Sequence, residues 1–427
     1  MKIEQGQHRT MSSFSESLEQ TAAVGPAAAF VQAQGQAPPP ATADLADAFE
    51  QSEVDSFGFA RRMPDPAGFY GDRAGPAVPA YLFRSGAGAV QAGTERKPML
   101  GPRAGEALAD IKGRGFLDGS YAVQRLAALP RDEQLQVLEQ LPNAALRSMA
   151  RAASREGVGS DDVITALNLE RACRTEWGKD NPDVADHLRD MFRDGKIAVD
   201  RPADPKDKID GWALTRKDGT IVLNPAALRA PEAMSATLAH EGLHAYRAAN
   251  GETMPTLQEE TDAHLAEAQV FGQLGGPETF PSPLGGKEAA AFDASVRESA
   301  EAFGDPPDPA KAKAHVAAQY MTGYAKWATE AGEKVGGKDT ISRKLQGMAR
   351  DLGNDAAAVQ ALSYTQVMDT ALAVANAPGL SAADKQAALT GVLRNLEPQE
   401  QAMALRWLSS HKHDALASAV ARQLRDD

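Results

Sequence analysis

Apolar positions recur at intervals of three and four from about residue 104 to the C-terminus, a period that predicts helices over most of this length. In LAALPRDEQLQVLEQLPNAALRSMARAA (126–153), Leu135, Leu138 and Leu141 keep the helical spacing. Pro142 interrupts it, and Leu146 and Met149 resume it. The passage LRNLEPQEQAMALRWLSSHKHDALASAVARQL (393–424) follows the same order. Leu129 matches Leu396, Glu133 and Gln134 match Glu400 and Gln401, Leu138 matches Leu405, and Leu141 matches Leu408. The two passages read either as a repeated helix–turn–helix unit or as two ordinary amphipathic hairpins.

Between them the period changes. NPDVADHLRDMFRDG (181–195) predicts a helix that starts at Pro182 and stops at Gly195. WALTR (212–216) and TIVLN (220–224) flank a KDG turn, and β-branched and aromatic residues around Asp218-Gly219 predict a β-hairpin ended by Pro225. A helix is then expected from Pro231 through Arg247, stopped by Asn250-Gly251, and a second over 257–274, closed by Gly275-Gly276. Residues 277–308, with five prolines and several glycines, read as loop. Beyond 310 the pattern is helical again, with breaks at 335–338 and 377–380. The expected fold is mainly α with a small β-hairpin or sheet.

The first 110 residues are rich in Ala, Gly, Pro, Gln and Ser, as in APPPATA at 37–43, and are expected to be largely disordered apart from a short helical piece at 43–51. The domain reading is 1–110 disordered, 111–170 helical, 171–300 a catalytic core and 301–427 a C-terminal helical domain. Lys2 precedes no apolar stretch of the kind a Sec signal peptide carries, and no apolar run is long enough to span a bilayer. The 427 residues hold 45 Lys and Arg against 58 Asp and Glu, a net charge of −13, which argues against nucleic acid or an anionic membrane as partner.

A lone cysteine, Cys173, excludes an intrachain disulfide framework and a cysteine zinc site, and is expected to be a small buried residue. Histidine is scarce, with eight in the chain, yet His240, His244 and His264 fall within 25 residues. His240, Glu241 and His244 form H-E-x-x-H on the helix expected at 231–247. Residues i and i+4 share a helix face, so two imidazoles can reach one zinc ion. Glu241, about 100° round the helix, can take the proton of an attacking water and pass it to a leaving amine. The alternative is a surface helix with two unused histidines. The third ligand is open: the position six after His244 is Asn250, so a third histidine there is excluded. LQEETDAHLAEAQVF (257–271) offers Glu259, Glu260, Asp262, Glu267 and His264. His264 and Asp262 also fit a role behind a ligand imidazole.

HEGLHAYRAANG followed by EETDAHLAEA resembles the gluzincin type of zinc metallopeptidase. The resemblance covers about 65 residues and implies a zincin-like helical core in which a later helix donates a glutamate within E-x-x-A. Glu260, with Ala263 at +3, fits that place, and Glu259 competes for it. The interval between His244 and the glutamate is shorter than in the large secreted gluzincins, and looks more like compact bacterial effector proteases. The polar, Ser- and Gln-rich N-terminus, MKIEQGQHRTMSSFSESLEQ, likewise resembles the leaders of type III secreted effectors. That implies export into a host cell without a Sec signal peptide, a secretion chaperone as partner, and a host protein or peptide as substrate.

The expected activity is therefore a zinc-dependent endopeptidase, with His240, His244 and Glu260 holding Zn²⁺ and Glu241 as general base and then acid. Candidates for stabilising the oxyanion are Tyr246, Tyr320, Tyr324, His315 and Tyr364, although Tyr320 and Tyr324 read better as core-edge residues beside Trp327. His411 and His413 read as a polar turn. GGKD at 336–339 and PLGGKE at 283–288 lack the spacing of a phosphate cradle. Two other functions compete: a zinc amidase acting on a non-protein amide, and a non-enzymatic interaction protein built on the helical repeats.

Overall fold

The computed structural model describes residues 100–115, 118–201, 212–216, 218–275, 286–330 and 338–426, which belong to one compact unit. The expectations of export and chaperone binding, and most of the disorder expected over 1–110, fall on residues 1–99, outside the described residues, as do the side chains of Tyr324 and Trp327. Residues 102–110, also expected to be disordered, are helical instead, because Ala104, Ala107 and Leu108 bury one face against the first core.

Seven helices come first: α1 (Pro102–Arg114), α2 (Gly119–Ala127), α3 (Arg131–Leu138), α4 (Asn143–Glu156), α5 (Asp161–Cys173), α6 (Glu176–Asp180) and α7 (Pro182–Arg193). Three short strands follow, β1 (Ile197–Val199), β2 (Ala213–Thr215) and β3 (Ile221–Leu223), then a single 3₁₀ turn at Pro225–Arg229. Two long helices, α8 (Pro231–Ala249) and α9 (Thr256–Gln273), pack against each other. The rest is α10 (Gly286–Phe303), α11 (Pro309–Glu330), α12 (Lys338–Gly353), α13 (Ala356–Ala361), α14 (Tyr364–Asn376), α15 (Ala382–Leu393), α16 (Pro398–Ser410) and α17 (Asp414–Asp426). The fold is mainly helical with a small three-stranded sheet. Among the described residues, no helix is long and apolar enough to cross a membrane.

The hairpin forms as expected. β2 and β3 are antiparallel with Ala213 opposite Leu223 and Thr215 opposite Ile221, and Gly219 turns the chain at a φ of +79°. The sheet holds a strand the alternation did not announce: β1 pairs in parallel with β3, Ile197 against Ile221, in the order β1-β3-β2. Its three residues are too few for a readable period. β3 lies in the middle and is buried throughout, whereas β2 is a half-buried edge.

Most of the segment read as loop at 277–308 is helix α10. Ala289, Phe292, Val296, Ser299 and Phe303 are buried along one face, and this apolar stripe outweighs the prolines and glycines around it. Past α14 the chain breaks at Ala377, as the pattern predicted. The paired passages share a local device as well as a spelling. Gln134 donates to the Leu129 carbonyl at 2.8 Å, and its counterpart Gln401 donates to the Leu396 carbonyl at 2.9 Å.

Buried side chains form two apolar cores. One is built from α1–α8 and the sheet and reaches Phe271 and Phe292; the other gathers α11–α17 around Leu257, Ala268 and Phe303. Helix α9 contributes to both, with Ala266, Val270 and Phe271 on one side and Leu257 and Ala268 on the other. The candidate site lies on this shared helix and on α8 beside it.

Candidate metal centre

Helix α8 starts with Pro231 at its first turn, where a missing N–H is harmless. Glu232 in that turn pairs with Arg171 of α5 at 2.7 Å, both side chains being almost fully buried, so the start of α8 is tied to the first core. Within H-E-G-L-H the glycine is structural. A Cβ on Gly242 would meet three carbons of Leu188 at 2.6–2.8 Å, so α7 packs here only because that atom is missing. Across the helix pair, Ala263 is fully buried, and its small side chain lets α9 lie close against its neighbours.

His240 and His244 fall on one face of α8 with their Nε2 atoms 3.3 Å apart. Glu260 of α9 reaches the same point: its Oε2 is 3.5 Å from His244 Nε2 and 3.9 Å from His240 Nε2. His264, one turn further along α9, brings a ring nitrogen to this place, and the ligand atoms of His240, Glu260 and His264 lie within 4.8 Å of one another. The His240 and His264 rings meet edge to face with centroids 4.5 Å apart. The group can hold a metal ion.

The outward nitrogens are backed by carboxylates. Glu259, the competing third ligand, instead lies 3.1 Å from His244 Nδ1 and faces away from the shared point. Glu267 lies 2.9 Å from His264 Nδ1 and is fixed by the Thr237 hydroxyl at 2.7 Å. The nearest acid to His240 Nδ1 is Glu267, at 3.9 Å, and this nitrogen is buried without a hydrogen-bond partner. Asp262, another ligand candidate, pairs with Arg247 at 2.7 Å.

Charge in the site follows from burial and from these pairings. Burial, helped by His264 and His244, holds His240 well below the usual imidazole range, which favours a neutral ring with one of its two nitrogens free of a proton. Burial works against charge on His244 too, but hydrogen bonds to Glu259 and Glu260 overcome it and raise that imidazole to about 10. Glu260 is lowered: burial opposes its ionisation, and contacts with His244 and Tyr320 outweigh it. Glu241 is raised, chiefly by burial, against the pull of His244 and a 2.7 Å hydrogen bond from Thr215 Oγ1 of β2.

One contributor escaped the sequence, and another is named there as a candidate but reads mainly as packing. Thr215 sits in an ordinary strand, and only the pairing of β2 brings it beneath α8. Tyr320 of α11, read as a core-edge residue, donates to Glu260 Oε2 at 2.7 Å and lies 3.3 Å from His264 Nε2. Its i, i+4 partner in sequence, Tyr324, drew attention to this face, but nothing local tied either residue to α9. Among the other oxyanion candidates, Tyr246 packs edge-on against His187, and Tyr364 is exposed far along the chain. His315 is buried against Phe303, and burial lowers its imidazole to about 4. Cys173 is buried as expected, its thiol pushed up to about 12 by burial. No protein-family model, curated protein or solved structure matches the chain.

Proposed function

We propose that the protein is a zinc-dependent endopeptidase with a zincin-like core, in which His240, His244 and Glu260 hold the ion and Glu241 is the general base and acid. The observation that carries this reading is the pair of Nε2 atoms at 3.3 Å with a carboxylate oxygen at 3.5 and 3.9 Å. Two imidazole lone pairs face each other only across a shared proton or a cation. Two of the three spacings, 3.3 and 3.5 Å, are also close to the edge of a tetrahedron with zinc–ligand bonds of about 2.0–2.1 Å, which is about 3.3–3.4 Å; the third, 3.9 Å, is longer. The donor set of nitrogen and carboxylate suits zinc, and the orphaned His240 Nδ1 and the acids behind His244 and His264 fit imidazoles turned toward one ion.

Bound there, zinc would supply Lewis-acid polarisation of a carbonyl and acidify water. The chain supplies the rest. Glu241, raised by burial and hydrogen-bonded by Thr215, accepts a proton from the attacking water and returns it to the leaving amine. The Tyr320 hydroxyl is a neutral donor beside the ligands, suited to negative charge that develops on the substrate. Edge strand β2, adjoining α8 through Thr215, supports an extended substrate by strand addition.

The test has two parts. Metal analysis of the purified chain is expected to give about one zinc per molecule, lost on His240→Ala; a zinc content near zero overturns the metal. Comparison of new protein termini produced in a cell lysate by wild type and Glu241→Ala is expected to show products from wild type alone. Identical termini from both proteins overturn the peptidase.

A further inference from the structure

His264 stands outside the proposed ligand set, yet it is held in the same way as His244 within it. Each turns Nδ1 toward a glutamate, His244 to Glu259 at 3.1 Å and His264 to Glu267 at 2.9 Å. A carboxylate in that place takes the Nδ1 proton and leaves Nε2 as the nitrogen that can face a metal. Glu267 is buried, and the Thr237 hydroxyl of α8 holds it at 2.7 Å, so both helices fix the His264 ring from behind.

In front, His264 Nε2 lies 3.3 Å from the Tyr320 hydroxyl. That hydroxyl has one proton and donates it to Glu260 Oε2 at 2.7 Å. The nitrogen therefore faces an oxygen with no second proton to give. Such a contact is favourable only with a proton or a metal ion on the nitrogen. Glu260 Oε2 is also the oxygen 3.5 Å from His244 Nε2 and 3.9 Å from His240 Nε2. The ligand atoms of His240, Glu260 and His264 lie within 4.8 Å of one another. His240 and His244 are four residues apart on α8, and Glu260 and His264 four apart on α9, so each helix presents two donors on one face.

We infer that His264 is a fourth protein ligand of the ion held by His240, His244 and Glu260, closing the resting site with three imidazoles and one carboxylate. The inference rests on the peptidase reading above and gives that site a gate. Four protein ligands fill a tetrahedron and leave no open corner, whereas hydrolysis needs one. Withdrawal of His264 restores the three-ligand set, so water and substrate compete with this imidazole for one position.

The experiment uses the full-length chain loaded with cobalt(II), whose unpaired electrons displace the proton signals of its ligands. The wild-type spectrum is expected to show three displaced, exchangeable imidazole N–H signals, one each from His240, His244 and His264. His264→Ala should show two, and His264→Phe, which keeps a ring in that place, should give the same count if the alanine variant does not fold. Acetohydroxamate, followed by the cobalt absorption bands, should bind about tenfold more weakly to wild type than to either variant, since only molecules with His264 withdrawn accept it. Two signals in wild type, or three that persist in the variants, overturn the fourth ligand and leave the peptidase reading intact. Equal affinity for acetohydroxamate overturns the gate. A chain that binds neither cobalt nor zinc overturns both readings.

Discussion

Thr215 Oγ1 lies 2.7 Å from Glu241 Oε2, so an edge strand that carries no charge fixes the carboxylate in the middle of H-E-x-x-H. Both residues are separated from bulk water to different degrees, Glu241 being buried and Thr215 half-buried. The hydrogen bond favours the ionised carboxylate, against burial, which favours the neutral one.

Thr215→Val keeps the shape and removes the donor. The Glu241 carboxyl should then rise by about 0.5–1 pH unit, the equivalent of one hydrogen bond of about 1 kcal/mol. On the proposed mechanism Glu241 must be ionised to act as base, so the acidic limb of the kcat/KM profile should move to higher pH by that amount while the alkaline limb stays. An unmoved acidic limb would show that Thr215 does not tune the base.

Metal binding should release a proton. His244 is raised to about 10 in the metal-free protein, so at pH 7.5 it is protonated, and coordination needs its bare nitrogen. Apparent zinc affinity should therefore rise with pH up to about 10, by about tenfold per unit, with about one proton released per ion at pH 7.5. Calorimetry in buffers of different ionisation enthalpy measures this number directly. Glu259→Gln should weaken zinc by about 10- to 100-fold, since it removes the acid behind His244.

Gly242→Ala should destabilise the fold despite alanine's better helix propensity. Forcing a methyl against the buried Leu188 costs about 1–3 kcal/mol, and the propensity gain returns about 1. Gly272→Ala on α9 is the control: nothing lies within 4 Å of its added Cβ, so the gain alone should appear. Urea denaturation of the two variants should move the midpoint in opposite directions.

Glu232→Ala should cost about 3–5 kcal/mol, because among the described residues it leaves the buried Arg171 guanidinium hydrogen-bonded to Asn168 and facing the like charges of Arg147 and Arg151 with no acid paired to it. Burial already lowers that guanidinium, so an unpaired charge is badly placed there. Arg171→Met combined with Glu232→Leu should recover most of the loss, as a double-mutant cycle in denaturant would measure.

Where local periodicity was strong, the chain could be read directly. The helix carrying His240 and His244, its neighbour carrying Glu260, the hairpin around Asp218-Gly219 and the helix from Pro182 were all legible, since each depends on residues within a few positions. The short strand β1 and helix α10 were not. The first is defined only by its partner β3, and the second lay among prolines and glycines that masked an apolar stripe. In the site, Glu259 and Glu260 are adjacent in sequence and equally acidic, and their roles divide only through the rotation of α9 against α8.

By itself, then, the sequence determined that His240, Glu241 and His244 share a helix and that the two imidazoles face one way, because a period of 3.6 residues decides this locally. The packing of α8, α9 and α11 and the pairing of β2 decided the remainder. They turned Glu260 toward the imidazoles and Glu259 behind one of them, added His264 to the cluster, and brought Tyr320 and Thr215 to the carboxylates. Those partners lie 15 to 60 residues from the groups they meet, and at such separations contact is set by how helices bury their faces and not by any pattern within one of them.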